Sequence, residues 1–214
     1  MPRKVTYGPH GTTLLDDFDR PDVNPLDGNW LQTPGGAAME IAGNLLQTGN
    51  SPPASGTATW LTPEISADCE AWITAVNRPS TDELSLLVRA TDKGTFTLDA
   101  YEGTLASDGT LTIGRRDAGT FVFLASASVS WQNGDGLALS AIGNILTGWL
   151  RRENVWYPQV SAEDTTYPGA GYHSLKFFTD AGALTWDDFG AGPIPPTSID
   201  RVVDNSPIYR TRGG

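Results

Sequence analysis

Residues 84 to 101 read Leu84-Ser-Leu-Leu-Val-Arg-Ala-Thr91, then Asp92-Lys-Gly94, then Thr95-Phe-Thr-Leu-Asp-Ala-Tyr101. In the first run Leu84, Leu86, Val88 and Ala90 share one face. Ser85, Arg89 and Thr91 share the other, with Leu87 the one apolar exception. In the second run Phe96, Leu98 and Ala100 alternate with Thr95, Thr97, Asp99 and Tyr101. A period of two places one side of a strand on a core and the other toward water. Asp92-Lys93-Gly94 is a tight-turn signal, so the two runs are expected to pair antiparallel.

The same texture extends in both directions. Upstream, Leu14 to Phe18, Met39 to Gln47 (turning at Ala42-Gly43-Asn44), Thr57 to Leu61 and Cys69 to Val76 read as strands. Downstream follow Thr110 to Arg116, Thr120 to Ala125, Leu137 to Ile142, Ile145 to Arg151, Val155 to Val160, Tyr172 to Phe178 and Ala183 to Phe189. Gly143-Asn144 and Asp180-Ala181-Gly182 punctuate them as turns. That makes about fourteen strands and no helical window, since 24 Gly and 15 Pro interrupt every candidate. The expected organisation is an extended arm over residues 1–13, one all-β domain over 14–190, and an extended Pro-rich tail over 191–214.

Composition bounds the function. Of 214 residues, 39% are hydrophobic, with seven Trp, six Tyr and seven Phe, enough for a real core. The net charge is −11. The ends are mildly basic (Arg3, Lys4, Arg201, Arg210 and Arg212 against Asp200 and Asp204), which leaves −14 on residues 14–190. Such a body repels a phosphate backbone, so nucleic acid is not an expected partner. A single cysteine, Cys69, excludes internal disulfides and a Cys-based zinc cage, and its apolar neighbourhood makes it a core residue. No run approaches the roughly 18 apolar residues of a membrane span, and the first residues hold no apolar leader; no membrane insertion is expected.

Phrases at three places in the chain carry a resemblance. Near the start stand Asp16-Asp17-Phe18-Asp19-Arg20 and Leu26-Asp27-Gly28-Asn29-Trp30. Near the end stand Tyr167-Pro168-Gly169-Ala170-Gly171-Tyr172 and Trp186-Asp187-Asp188-Phe189. Between them lies Asn133-Gly134-Asp135-Gly136-Leu137-Ala138-Leu139, followed by Gly143-Asn144. In order and spacing this resembles the concanavalin A-like lectin/glucanase jelly rolls, especially laminin-G-like modules of bacterial and bacteriophage proteins. The loop Gly169-Ala170-Gly171 is a shortened form of that family's pattern. The resemblance covers residues 14–189. It implies a two-sheet antiparallel jelly-roll sandwich, the "DDF" strands side by side, and a concave face on which members often bind sugar.

Some such relatives hydrolyse glycosides, which takes two carboxylates flanking the scissile bond. Their E-x-D-x-x-E and E-x-D-x-E phrases do not occur here. Asp17 with Asp19 and Asp68 with Glu70 are the only acid pairs at i, i+2, and Asp99 and Glu102 fall on opposite faces of a strand. A non-catalytic domain is expected. Its candidate glycan-binding residues are Trp149, Arg151 and Trp156 around the hairpin Thr147–Tyr157, with Arg89, Asp99 and Tyr101 on the polar faces of two adjacent strands. Aromatic faces stack on sugar rings while guanidinium and carboxylate groups take the hydroxyls. No cofactor is required. The resemblance does imply a structural calcium site where the first and last strands meet, with Asp17 and Asp187 as candidate ligands, although calcium takes six to eight oxygens.

These readings point to a bacteriophage virion protein, a minor tail or capsid-decoration subunit built in the bacterial cytoplasm and exposed on the particle. Its arm and tail would grip other virion proteins or a second copy, and its sandwich would face host-surface glycans. The alternatives are a stand-alone bacterial carbohydrate-binding module and a divergent glycoside hydrolase.

Overall fold

Fifteen strands occur among the residues described by the computed structural model, 7–48, 54–77, 83–179 and 184–195. They are β1 (Leu14–Asp16), β2 (Trp30–Gln32), β3 (Met39–Ala42), β4 (Leu45–Thr48) and β5 (Ala54–Ile65). Next come β6 (Cys69–Asn77), β7 (Glu83–Ala90), β8 (Ala100–Ala106), β9 (Thr110–Asp117) and β10 (Thr120–Ser128). The last are β11 (Gly136–Ile142), β12 (Ile145–Arg152), β13 (Val155–Glu163), β14 (Gly171–Thr179) and β15 (Thr185–Pro193). Residues 1–6, the expected turn Asp180-Ala181-Gly182 and the tail beyond 195 lie outside the described residues.

The strands form two antiparallel sheets. Sheet I runs β13-β12-β11-β6-β15-β4-β3, with β1 also paired to β15, and sheet II runs β10-β9-β8-β7-β14-β5-β2. Local sequence explains the hairpins. Gly43 and Asn44 both take positive φ (62° and 63°) between β3 and β4, the turn that matches the twist of a two-residue hairpin. Alternate residues of the central strands fill the space between the sheets: Leu84, Leu86 and Val88 from β7, Leu111 and Ile113 from β9, Ile73 from β6, Leu137 and Leu139 from β11. Cys69 is buried among them, and burial pushes its thiol up to about 12.

The opening and closing phrases lie side by side, Leu14 against Gly190 and Asp16 against Phe189. Phe18 and Phe189 are both fully buried, Phe189 tilted on Trp30 and Trp60. Asp16 ties this corner by accepting from Trp30 Nε1 (2.7 Å), the Phe18 amide (2.9 Å) and Arg20 Nη1 (2.6 Å).

Four expectations need correction. Strand β8 begins at Ala100, so Thr91 to Asp99 is a loop, closed by the Thr91 amide on the Asp99 carbonyl (2.9 Å), rather than a turn and a strand. The alternation also breaks at Arg89. Ser174 pairs with Leu87 and Tyr172 with Ala90, so Val88 and Arg89 together face the single residue His173. That β-bulge, with Arg89 at φ 55°, turns the arginine inward. Tyr101, opposite Val88, likewise points into the core, while Leu98 and Ala100 join Leu87, Ala90 and Tyr172 in a small outer cluster. Finally, residues 191–193 continue β15 along β6, Ala191 against Ala71 and Pro193 against Cys69. At the other end, residues 7–13 double back, Tyr7 bridging Thr13, and rest on sheet I.

Candidate functional site

The residues singled out in the sequence fall in three places. Arg89 is 1% exposed and clamps one end of the sandwich: Nε donates to Ala67 O (2.6 Å), Nη1 to Tyr167 O (3.0 Å) and Nη2 to Gly143 O (2.8 Å). Beside it the buried Tyr101 hydroxyl donates to Asp164 and accepts the Tyr167 amide (3.0 Å). Both residues tie loops together and neither is open to a ligand. Asp99 accepts the Ala118 amide (2.6 Å) in a turn. Trp149, Arg151 and Trp156 do sit together, far along the chain, on the outer face of sheet I, where Arg151 pairs with Trp156 and its guanidinium lies 5.5 Å from the indole centroid. Arg151 is 3% exposed, with Nη2 on Thr74 Oγ1 (3.1 Å). Burial lowers its pKa against the opposing charges of Asp188 and Asp135.

The outer face of sheet II holds a constellation that the sequence reading missed. Because Tyr101 and Leu105 of β8 face the core, Glu102 and Thr104 face outward. Glu102 is 1% exposed. Arg116 of β9 donates Nε to one of its oxygens, and Lys176 Nζ of β14 stands 3.4 Å from the other. Thr104 donates to Glu102 (3.3 Å) and shares a 2.8 Å bond with Ser85. Burial alone pushes the Glu102 carboxyl up, but the Arg116 hydrogen bond and the charges of Lys176 and Arg116 outweigh it, holding the group below the usual carboxylate range. Arg116 is fixed in turn by Gly119 O (2.9 Å), and its guanidinium lies 5.0 Å from the Phe121 ring centroid.

Arg116 and Lys176 of this cluster also line a recess, together with Thr57, Leu87, Phe96 and Leu98, with about 30 Å³ of space. That admits one hydroxyl or hydroxymethyl group, not a whole sugar ring. Flat apolar surface flanks it: Phe96, Phe121 and Phe123 are 46%, 37% and 60% exposed. Phe96 comes from the Thr91–Asp99 loop, which passes so near the β9–β10 turn that a Cβ on Gly119 (φ 82°) would meet Phe96 O at 2.3 Å.

No family model matches the chain, and no curated protein sequence matches it. Solved structures do. The carbohydrate-binding module CBM66 from Bacillus subtilis superposes with a TM-score of 0.57 at 17% identity, over 77% of this chain and 95% of that one. The calcium-bound VIP36 exoplasmic/lumenal domain gives 0.63 at 12% identity, over 85% and 90%. The potassium-bound Emp46p carbohydrate recognition domain gives 0.55 at 14%, over 77% and 88%. The fold is a lectin-like jelly roll.

Among the described residues, no second carboxylate stands next to Glu102 on the outer face of sheet II. The same-face neighbours of Glu102 on its own and adjoining strands are Ala100, Thr104, Ser85, Leu87, Thr112, Gly114 and Arg116. A carboxylate held ionised between two cations is also a poor general acid. Calcium fares no better at the β1–β15 seam. Asp17 accepts the Asp19 amide and Asp187 accepts the Asp188 amide, and no group of three or more His, Cys, Asp or Glu gathers there or elsewhere among the described residues. This donor set does not fit a six- to eight-oxygen ion.

Proposed function

We propose that this chain is a non-catalytic carbohydrate-binding domain that takes a saccharide on the outer face of sheet II. One observation carries the reading: Arg116 and Lys176, both held by the buried Glu102, line a recess flanked by exposed phenylalanines. Pre-oriented charged groups take hydroxyls, and flat rings take the C–H faces of sugars. The jelly rolls of similar shape support it, since two of them are named for carbohydrate binding or recognition. The test is retention on a panel of immobilised polysaccharides. Wild type is expected to be retained by at least one, with Lys176→Ala and Phe96→Ala each weakening retention about tenfold. Failure of the wild type to bind any of them overturns the reading.

The charge asymmetry of the sequence, basic ends on an acidic body, supports display on a bacteriophage particle as the setting for this domain, with a stand-alone bacterial binding module as the alternative. Deleting residues 196–214 separates them: loss of incorporation into particles supports the virion setting, and unchanged incorporation, or a gene neighbourhood without particle proteins, supports the other.

A further inference from the structure

The outer face of sheet I is occupied by the chain's own residues 7–13. The segment folds on itself through the Gly8 amide on Thr12 O (2.9 Å) and the Gly11 amide on Gly8 O (3.1 Å). Trp156 Nε1 donates to Tyr7 O (3.1 Å), Trp72 Nε1 to Thr12 O (3.3 Å), and the His10 ring stands edge-on to Trp149 at 5.3 Å. The wholly buried carboxylate of Glu70 accepts the His10 amide (3.1 Å to each oxygen), the Thr12 amide (3.3 Å) and the Thr12 hydroxyl (2.6 Å). Only Gly8 and Thr12 of the segment are buried, and Tyr7 is 61% exposed. The segment is therefore held by polar contacts without an apolar anchor, the profile of an element that opens locally.

What it covers is chemically richer than a structural seat requires. Lifting the segment would leave two indole N–H groups without acceptors and a buried carboxylate without donors. Arg151 Nη1, buried beside Trp156, has no hydrogen-bond partner among the described residues even with the segment in place. Each bond the segment makes is one that a sugar hydroxyl makes equally well, and the Thr12 hydroxyl on Glu70 already has that chemistry. We propose that residues 7–13 are a displaceable strap lying on a second saccharide surface, formed by Trp72, Trp149, Trp156, Glu70 and Arg151. This surface is separate from the recess on sheet II and does not depend on it.

Glu70 makes the strap sensitive to pH. Burial raises its pKa to about 7, against the opposing hydrogen bonds from Thr12 and His10. Lifting the strap hydrates the carboxylate, so opening is favoured as pH rises through that value. The groups that meet Glu70 from neighbouring elements are the strap's His10, lowered by burial, Ser140 of β11 and Gly192 of β15 in register, and the neutral buried His173 beside its backbone. None of these brings a fixed charge.

The test uses the full chain carrying Gly8→Val. A Cβ at Gly8 would lie 2.4 Å from Glu70 Oε1 and 2.5 Å from Trp72 Cδ1, so the strap cannot reseat while the sheet is untouched. Amide exchange at Thr12 is expected to speed up at least tenfold, with increased acrylamide quenching of tryptophan. In a Lys176→Ala background, which weakens the sheet II recess, Gly8→Val is expected to gain at least fivefold retention on one of cellulose, xylan, mannan or levan, and Trp149→Ala to remove that gain. Protected Thr12 and unchanged quenching overturn the strap. An open strap without gained retention, or a gain that survives Trp149→Ala, overturns the saccharide surface. Should Gly8→Val fail to fold, the wild type decides: Thr12 protection, corrected for intrinsic exchange, must fall between pH 6 and 8.5, and pH-independent protection overturns the proposal.

Discussion

Each sheet carries a buried glutamate on the outer side of a central strand, Glu70 on β6 and Glu102 on β8, and the two titrate in opposite directions. Burial raises both. At Glu102 a guanidinium and an ammonium answer the charge, and the group stays ionised. At Glu70 only amides and a hydroxyl answer it, beneath a strap, and burial wins. Uncharged donors thus offset less of the desolvation of a carboxylate than cations do, so the covered glutamate titrates near neutral pH while the open face keeps its ion cluster ionised there.

The comparison breaks most visibly at Arg116. Arg116→Ala leaves a buried carboxylate with Lys176 as its one remaining cation beside the Thr104 hydroxyl, and a loss of about 3 kcal/mol is expected in urea unfolding at pH 8. Because the pKa of Glu102 is depressed, that stabilisation is present above the ordinary carboxylate pKa and is lost as pH falls through the folded value, so the variant and wild type should converge in acid. An equal difference at all pH values contradicts the assignment.

Glu70 runs the other way. Its folded pKa of about 7 lies above the ordinary 4.5, so its contribution is complete below about 4.5 and is lost as pH rises through 7. Glu70→Gln should therefore match wild type at pH 4.5 and exceed it by about 2 kcal/mol at pH 8. Taking the difference between the two proteins removes the contribution of His173. Burial lowers that imidazole to about 3, so it destabilises the fold as pH falls below the ordinary 6.5.

Thr12→Val deletes the 2.6 Å hydroxyl contact to Glu70 and is expected to cost about 1 kcal/mol, read as a shift in the urea midpoint. The smallest stability effect belongs to Lys176→Ala, about 0.5 kcal/mol, because its 3.4 Å ion pair is one-quarter exposed on the lysine side. Paired with the tenfold loss of saccharide retention expected of the same variant, it separates recognition from folding on sheet II.

The strands β3, β4, β11 and β12 were readable because alternation and Gly-Asn turns operate within a few residues. The Asp-Asp-Phe phrases correctly placed the first strand beside the last. Arg89 was misread because its inward turn is a bulge imposed by the register of β14, more than eighty residues away. Glu102 was seen as an acid, but its partners stand 14 and 74 positions along the chain, so no local pattern announces the cluster. The Trp149, Arg151 and Trp156 group was correctly read as neighbours, while its cover was invisible, since residues 7–13 read only as a polar arm.

The amino-acid order alone determined an all-β chain of short strands, because period-two burial and turn stereochemistry are short-range properties. The pairing of its terminal strands was legible only through the resemblance carried by the Asp-Asp-Phe phrases. Only the tertiary structure decided which outer face is open and which glutamate stays charged. Those outcomes depend on what comes to rest against a carboxylate, and for Glu70 that is a hydroxyl 58 residues away.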